Sequence, residues 1–381
     1  MGDRAGERRT RRAVRPSDLL VVAASVVIGC IALEIVFAVA PPGGIYVYVD
    51  EMGFRVRPYA TWGAWRTNAL GCNDRDHTEA KAAGVRRVIV LGDSFNWAGG
   101  LDGNYTRVLE RRLAELTPDA EIELLNLGYP GTHPGEELAL LRRDGMRFAP
   151  DLVLLGVAVG NDFLDAQPWR RVIPVGGELT PIDLRREPVM MLFGAPFTDR
   201  SHLWRFLAGR LAILRLRLSA RARGEHEATG GARLPDDAFH ALERERMQVV
   251  ARAPNATIAT GEATVFASIA AMHELTAAAG ARLAVAAYPE PFQVDDELRD
   301  AVLAETPASE DDFEWDRPQR TLRDYCRAHD LDYVDLLPAF RAAHDEGTAV
   351  YLHNEPHWND AGQALAAREL APVVLRDLPG P

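Results

Sequence analysis

Four short, separated blocks hold the residue types that could do chemistry together. In Val88-Ile89-Val90-Leu91-Gly92-Asp93-Ser94-Phe95 a serine stands just past an apolar run, behind a glycine and ahead of a helical pattern. That placement suits a nucleophile, because glycine permits a tight turn and a helix start offers backbone N–H groups and a positive dipole end. Read alone, Gly-Asp-Ser is a weak signal, and an N-cap serine is its usual explanation. Two further blocks, Asn126-Leu127-Gly128-Tyr129-Pro130-Gly131 and Gly160-Asn161-Asp162, also follow apolar runs. A glycine lets its N–H approach a ligand closely, and an asparagine amide donates a hydrogen bond. With the Ser94 N–H, Gly128 and Asn161 would form a donor set for the oxyanion of an acyl-transfer intermediate. The fourth block is His353-Asn354-Glu355-Pro356-His357-Trp358-Asn359-Asp360-Ala361-Gly362. His357 lies between a turn proline and a helix start with an acid two residues away, placed to take a proton from Ser94. His353 is the alternative base. A zinc pair of His353 and His357 is disfavoured, since Pro356 breaks the helical turn that such ligands need.

These blocks need a scaffold that gathers them. Apolar runs at Arg87–Leu91, Ile122–Leu127, Leu152–Val159, Arg282–Ala287 and Asp332–Leu336 alternate with helical patterns at about 104–116, 134–146, 258–279, 317–329 and 360–376. Continuous apolar strands between amphipathic helices predict an α/β fold, a three-layer α/β/α sandwich around a parallel sheet with both faces covered. Such sheets bind ligands at the carboxyl ends of their strands. The expected domain covers 86–381 after a lead-in over 41–85, with a long insertion at about 163–280. Within it, Leu203–Arg223 is basic and amphipathic, suited to docking on the sandwich or lying on a membrane surface. Residues 223–237 read as a loop.

Ahead of the sandwich, Leu19–Ala40 is interrupted only by Ser25, Gly29 and Glu34. As a helix it spans roughly 33 Å, enough for one membrane crossing. Arg4, Arg8, Arg9, Arg11, Arg12 and Arg15 precede it in an arginine-rich tail over 1–18, and only Arg55 and Arg57 follow it up to residue 60. The positive-inside bias therefore predicts a cytoplasmic N-terminus and a single-pass anchor at 19–40, with the rest periplasmic or extracellular. A lipoprotein box at Val27-Ile28-Gly29-Cys30 and a cleaved signal peptide are the rival readings. Glu34 is expected to reach the interface or to be protonated, with a contact to a partner helix as the alternative. Net charge is −12, with 55 acids against 43 bases, which speaks against a nucleic-acid surface. Three cysteines exclude a disulfide scaffold; Cys72 and Cys326 would face an oxidising compartment and could pair.

In their order, Ser94, Gly128, Asn161 and His357 resemble the four blocks of the SGNH (GDSL) hydrolase superfamily. The likeness runs from about Thr67-Asn68-Ala69-Leu70-Gly71 to the last helix and is strongest over 86–163 and 351–365. It implies a flavodoxin-like sandwich that hydrolyses esters or moves acyl groups without a metal or organic cofactor. Ser94 would be nucleophile and His357 base, with Ser94 N–H, Gly128 N–H and the Asn161 amide as oxyanion donors. An N-terminal anchor ahead of such a domain is similar to bacterial cell-envelope members. Two positions depart from the pattern: Val159 stands where the third block has a glycine, and Asn354 where the triad aspartate usually stands. Glu355 is the available carboxylate for orienting His357. Asp93 and Asp162 are expected to make turn or supporting hydrogen bonds, and Trp97 and Trp358 to line an acyl pocket or pack in the core. The expectation is a membrane-anchored serine esterase acting on an ester. An O-acyltransferase using an envelope polysaccharide and an inactive anchored binding protein are the alternatives.

Overall fold

In the computed structural model the described residues are 15–39, 45–47, 49, 52–62, 64–175, 178–183, 185, 191–192, 195–196, 201–204, 206–207 and 234–376. The first element is a helix over Pro16–Val39. Among the described residues it is the one helix long and apolar enough to cross a membrane, a property it shares with signal sequences.

Five strands, β1 (Arg86–Leu91), β2 (Ile122–Asn126), β3 (Leu152–Ala158), β4 (Arg282–Tyr288) and β5 (Asp332–Asp335), form one sheet. Their ends lie about one residue from those read in the sequence. All pairings in it are parallel, in the order β5-β4-β3-β1-β2. Alternate residues serve opposite faces. Ile89, Leu91, Leu125, Val153 and Leu155 share one buried cluster with Leu140 and Ile269, while Val88, Val90, Leu124 and Leu154 share another with Leu109, Phe340 and Leu370. Because helices cover both faces, the central strands β1, β3 and β4 are buried almost throughout and read as apolar runs, whereas edge strand β5 is half-buried and carries Asp332 and Asp335. β2 and β3 flank β1 on opposite sides, so the chain reverses direction across the sheet there. The carboxyl ends of β1 and β3 consequently open a crevice.

The helices Tyr105–Leu116, Ala256–Ala278, Arg317–Ala328 and Asp360–Leu375 stand close to their expected places. The helix expected at 134–146 is α-helical only over Pro134–Leu140, then widens into a π turn over Leu141–Gly145. Not every residue of 163–280 is an addition to the sandwich. Ala256–Ala278 is the crossover helix that joins β3 to β4, with Ile258, Val265, Ile269 and Met272 in the core. Before it come an antiparallel pair, Arg170–Val175 with Glu178–Asp183, and a helix over Asp236–Arg246. The amphipathic Leu203–Arg223 stretch and the 223–237 loop lie mostly outside the described residues.

Candidate active site

β1 ends at Leu91 and the chain turns through Gly92 and Asp93 into a short 3-10 turn over Ser94–Asn96. A Cβ on Gly92 would run into the Asn96 side chain, so this close turn needs glycine. Asp93 Oδ1 accepts the Phe95 N–H at 3.0 Å and holds the start of the turn. Below it, buried Asn126 receives Asn96 Nδ2 at 2.9 Å and donates back to the Asn96 and Asn73 carbonyls. The serine thus stands on a polar network whose members are all buried, a rigid base for a reacting atom.

The loop from Tyr351 to Asn359 supplies the other half. Tyr351 bridges Trp358, and the Leu352 N–H donates to the His357 carbonyl at 2.9 Å. Asn359 caps the last helix by accepting the Gly362 N–H at 3.0 Å, and its amide donates to the Ala349 and Tyr351 carbonyls. Fixed from both sides, the loop sets His357 Nε2 2.7 Å from Ser94 Oγ and His357 Nδ1 2.6 Å from Glu355 Oε1. Phe95 lies edge-on to the imidazole at 5.3 Å. Asn354, in the position of the usual aspartate, points elsewhere. It takes a left-handed φ of 53°, and its Nδ2 donates to the Leu234 carbonyl at 3.2 Å and to Asp236 Oδ1 at 2.5 Å. It pins the returning end of the inserted segment, leaving the carboxylate position to Glu355. His353 is exposed and makes no contact with Ser94 in the described structure.

The expected oxyanion donors fare unequally. Asn161 donates from Nδ2 to Asp93 Oδ2 at 2.9 Å, which orients its amide beside the serine turn. The Ser94 N–H has no partner among the described residues. Gly128 departs from expectation: its N–H already donates to Asn126 Oδ1 at 3.0 Å, and its Cα packs so closely on Asn96 that no side chain fits. It is a packing glycine. Three residues on, Gly131 has φ +74°, only an ordinary contact with Leu179 where a Cβ would stand, and an N–H without a partner among the described residues.

Behind the donors lies a buried acidic cluster, of which sequence reading pointed to Asp93 and Asp162 alone. Burial, with the charges of Glu137 and Asp93 adding to it, pushes Asp162 well above the usual carboxylate range. Burial and the charge of Asp93 do the same to Glu137. Burial lifts Glu136 to about 8 and Asp165 to about 6, and Asp165 pairs with Arg170 at 2.6 Å. Burial likewise lowers His133 to about 4, in keeping with a neutral ring whose Nδ1 accepts the Gly135 N–H at 3.1 Å. Asp162 Oδ2 accepts the Ala158 N–H at 2.9 Å and so ties the end of β3 to the Asn161 turn. The same turn is gripped from β4. Fully buried Glu290 accepts the Gly160 N–H at 3.1 Å and pairs with Arg246 at 2.7 Å. A single signal pointed to it: an acid two residues past a strand's carboxyl end, on the edge that carries Ser94.

Trp97 and Trp358 are core residues, 4% and 1% exposed. Trp97 donates to the Gly128 carbonyl at 2.8 Å, and Trp358 packs among Phe95, Tyr105, Tyr288 and Phe340. Cys72 and Cys326 are each buried and free, so the possible pairing is not present.

A parallel sheet in this order, with a serine, an asparagine and a histidine gathered at its carboxyl edge, defines the SGNH hydrolase-like fold. Residues 248–380 match the family model described as "SGNH hydrolase-like domain, acetyltransferase AlgX". Over those residues, about a third of the chain, the sequence is similar to that SGNH hydrolase-like domain, and the fold is SGNH-like. Its structure is also similar to that of the acetyl xylan esterase AlAXEase, at 15% identity and TM-score 0.41, over 76% of this chain and 99% of that one. TesA matches at 13% identity and TM-score 0.38, over 77% and 100% of the two chains. A catalytic mutant of Axe2, an acetylxylan esterase from Geobacillus stearothermophilus, matches at 13% and 0.39, over 78% and 95%. No curated protein matches by sequence.

Proposed function

We propose that the protein is a membrane-anchored serine esterase or deacylase that works through an acyl-enzyme on Ser94. The observation that carries this reading is the continuous relay of Ser94 Oγ, His357 and Glu355, with contacts of 2.7 and 2.6 Å. Ser94 Oγ bonds to the ester carbonyl carbon while His357 Nε2 takes the hydroxyl proton. Glu355 stabilises the imidazolium and holds its Nδ1–H. The oxyanion is received by the Ser94 N–H and the Asn161 amide, with the Gly131 N–H in the role expected of Gly128. His357 returns its proton to the departing alcohol. Water then attacks the acyl-enzyme by the same route and releases the carboxylic acid. The anchor crosses the membrane once, with the N-terminus cytoplasmic and the domain periplasmic or extracellular.

A second reading, O-acyl transfer, is favoured by the match of residues 248–380 to a model described as an acetyltransferase. In that case a sugar hydroxyl of an envelope polysaccharide replaces water at the second step, and the first half of the cycle is unchanged.

The detergent-solubilised full chain, given p-nitrophenyl acetate, tests both. Nitrophenol release with an acetylated Ser94 peptide in the mass spectrum supports the acyl-enzyme. Free acetate in the presence of added polysaccharide favours the esterase, and acetylated polysaccharide favours transfer. A folded sample that yields neither adduct nor product points to an anchored binding protein.

A further inference from the structure

The anchor helix carries one ionisable side chain far along its apolar run. Glu34 lies three residues before the end of the Pro16–Phe37 span, about 4.5 Å from it along the axis. A carboxylate at such a depth is costly unless it is paired or reaches the interface. Here the chain itself satisfies it. Glu34 accepts the Ser201 hydroxyl at 2.9 Å, the His202 N–H at 2.6 Å and the Leu203 N–H at 2.9 Å. Phe37, one turn on, packs against Phe206 with ring centroids 5.0 Å apart. From residue 15 to 37 every side chain is exposed except Glu34 and Phe37, so among the described residues the anchor meets the rest of the protein through this contact.

The partner segment has the composition of a membrane interface. Ser201 is buried against Glu34, whereas Trp204 and Leu207 are 43% and 51% exposed beside the anchor's outer end. Tryptophan at that level suits the headgroup region, with an apolar body and a polar edge. The sequence continues with Arg210, Arg215 and Arg217, charges that anionic headgroups attract.

We propose that Ser201–Leu207 returns to the bilayer crossed by the anchor, with Glu34 as its seat, and that Trp204 and Leu207 contact lipid at the outer interface. The inserted segment is then a second membrane contact, and it limits how far the domain can tilt or lift from the surface. Neither consequence depends on the chemistry assigned to Ser94.

The test uses the full chain in vesicles of phosphatidylcholine and phosphatidylglycerol whose acyl chains carry bromine near the headgroup. Tryptophan quenching is compared with that of Trp204→Phe, which isolates one of the seven tryptophans. The wild type should show a Trp204-dependent share of quenching. Glu34→Ala should reduce that share several-fold, and Glu34→Gln less so, since it keeps an acceptor. All three should resist carbonate extraction and melt at the same temperature. Quenching indifferent to Trp204→Phe, or unchanged in Glu34→Ala, would overturn the proposal. So would a mature N-terminus beyond residue 37.

Discussion

Glu355 Oε1 and His357 Nδ1 lie 2.6 Å apart although only one residue, Pro356, separates them in the chain. Two neighbours make this possible. Asn354 turns the backbone through a left-handed conformation, and Pro356 fixes φ directly before the histidine. The acid has moved one position along the loop, and the imidazole is still held from its Nδ1 side.

Glu355→Gln should lower kcat by about 10²–10⁴-fold, because an amide no longer stabilises the imidazolium. KM should change little, since Glu355 acts through His357. Steady-state kinetics on an activated acetyl ester decides it; turnover equal to wild type would remove Glu355 from the relay.

Asn354→Asp restores the usual aspartate in sequence, yet it should not speed the reaction. The side chain at this position meets Leu234 and Asp236, so the change removes a donor and sets two carboxylates against each other. Thermal melting should fall by an amount corresponding to about 1–2 kcal/mol. In a Glu355→Ala background it should rescue nothing, and recovered turnover there would show that the loop can swing the introduced carboxylate onto His357.

Arg246→Ala leaves fully buried Glu290 without its cation, a loss of about 3–5 kcal/mol for a broken buried pair. The Gly160–Asn161 turn should loosen with it, so kcat should drop along with the melting temperature. Arg246→Met combined with Glu290→Gln should recover much of the stability. A double variant no better than the single one would contradict the pairing.

His77 should make stability pH-dependent. Burial alone would push its pKa down, but its contacts with Asp74 at 2.9 Å and Glu123 at 2.6 Å more than reverse this, and the ring titrates above its ordinary 6.5. A raised pKa contributes stability that is complete below 6.5 and is lost as pH rises through the folded value. Glu123, also shifted up by burial but held down overall by His77 and Arg87, loses its share as pH falls through its own depressed value. The stability gap between wild type and His77→Gln should therefore be widest near about pH 5–6 and close toward alkaline pH. A gap that grows as pH rises would refute the assignment.

Much of this site was legible because its parts end strands. The apolar runs of β1 to β3 placed Ser94, the Asn126–Gly131 block and Asn161 on one edge, and the ends of those runs fall within about one residue of the strand ends. What stayed hidden depends on hydrogen-bond bookkeeping between distant segments. Nothing in Gly128 or Gly131 says which N–H is already spent on Asn126. The grip of Glu290 on Gly160 joins residues 130 positions apart. The seat of Ser201 on Glu34 spans 167, and an acid in an apolar helix does not say which distant segment meets it. The boundary of the insertion was misplaced for a similar reason, since a crossover helix and an extra helix share one apolar pattern.

The central claim is that His357 activates Ser94, and fluorophosphonate labelling of the full chain beside its Ser94→Ala variant tests it most directly. The account predicts stoichiometric labelling of the wild type at Ser94, none in Ser94→Ala, and labelling slowed by at least about 10²-fold in His357→Ala. An unlabelled wild type with an intact melting transition would contradict it.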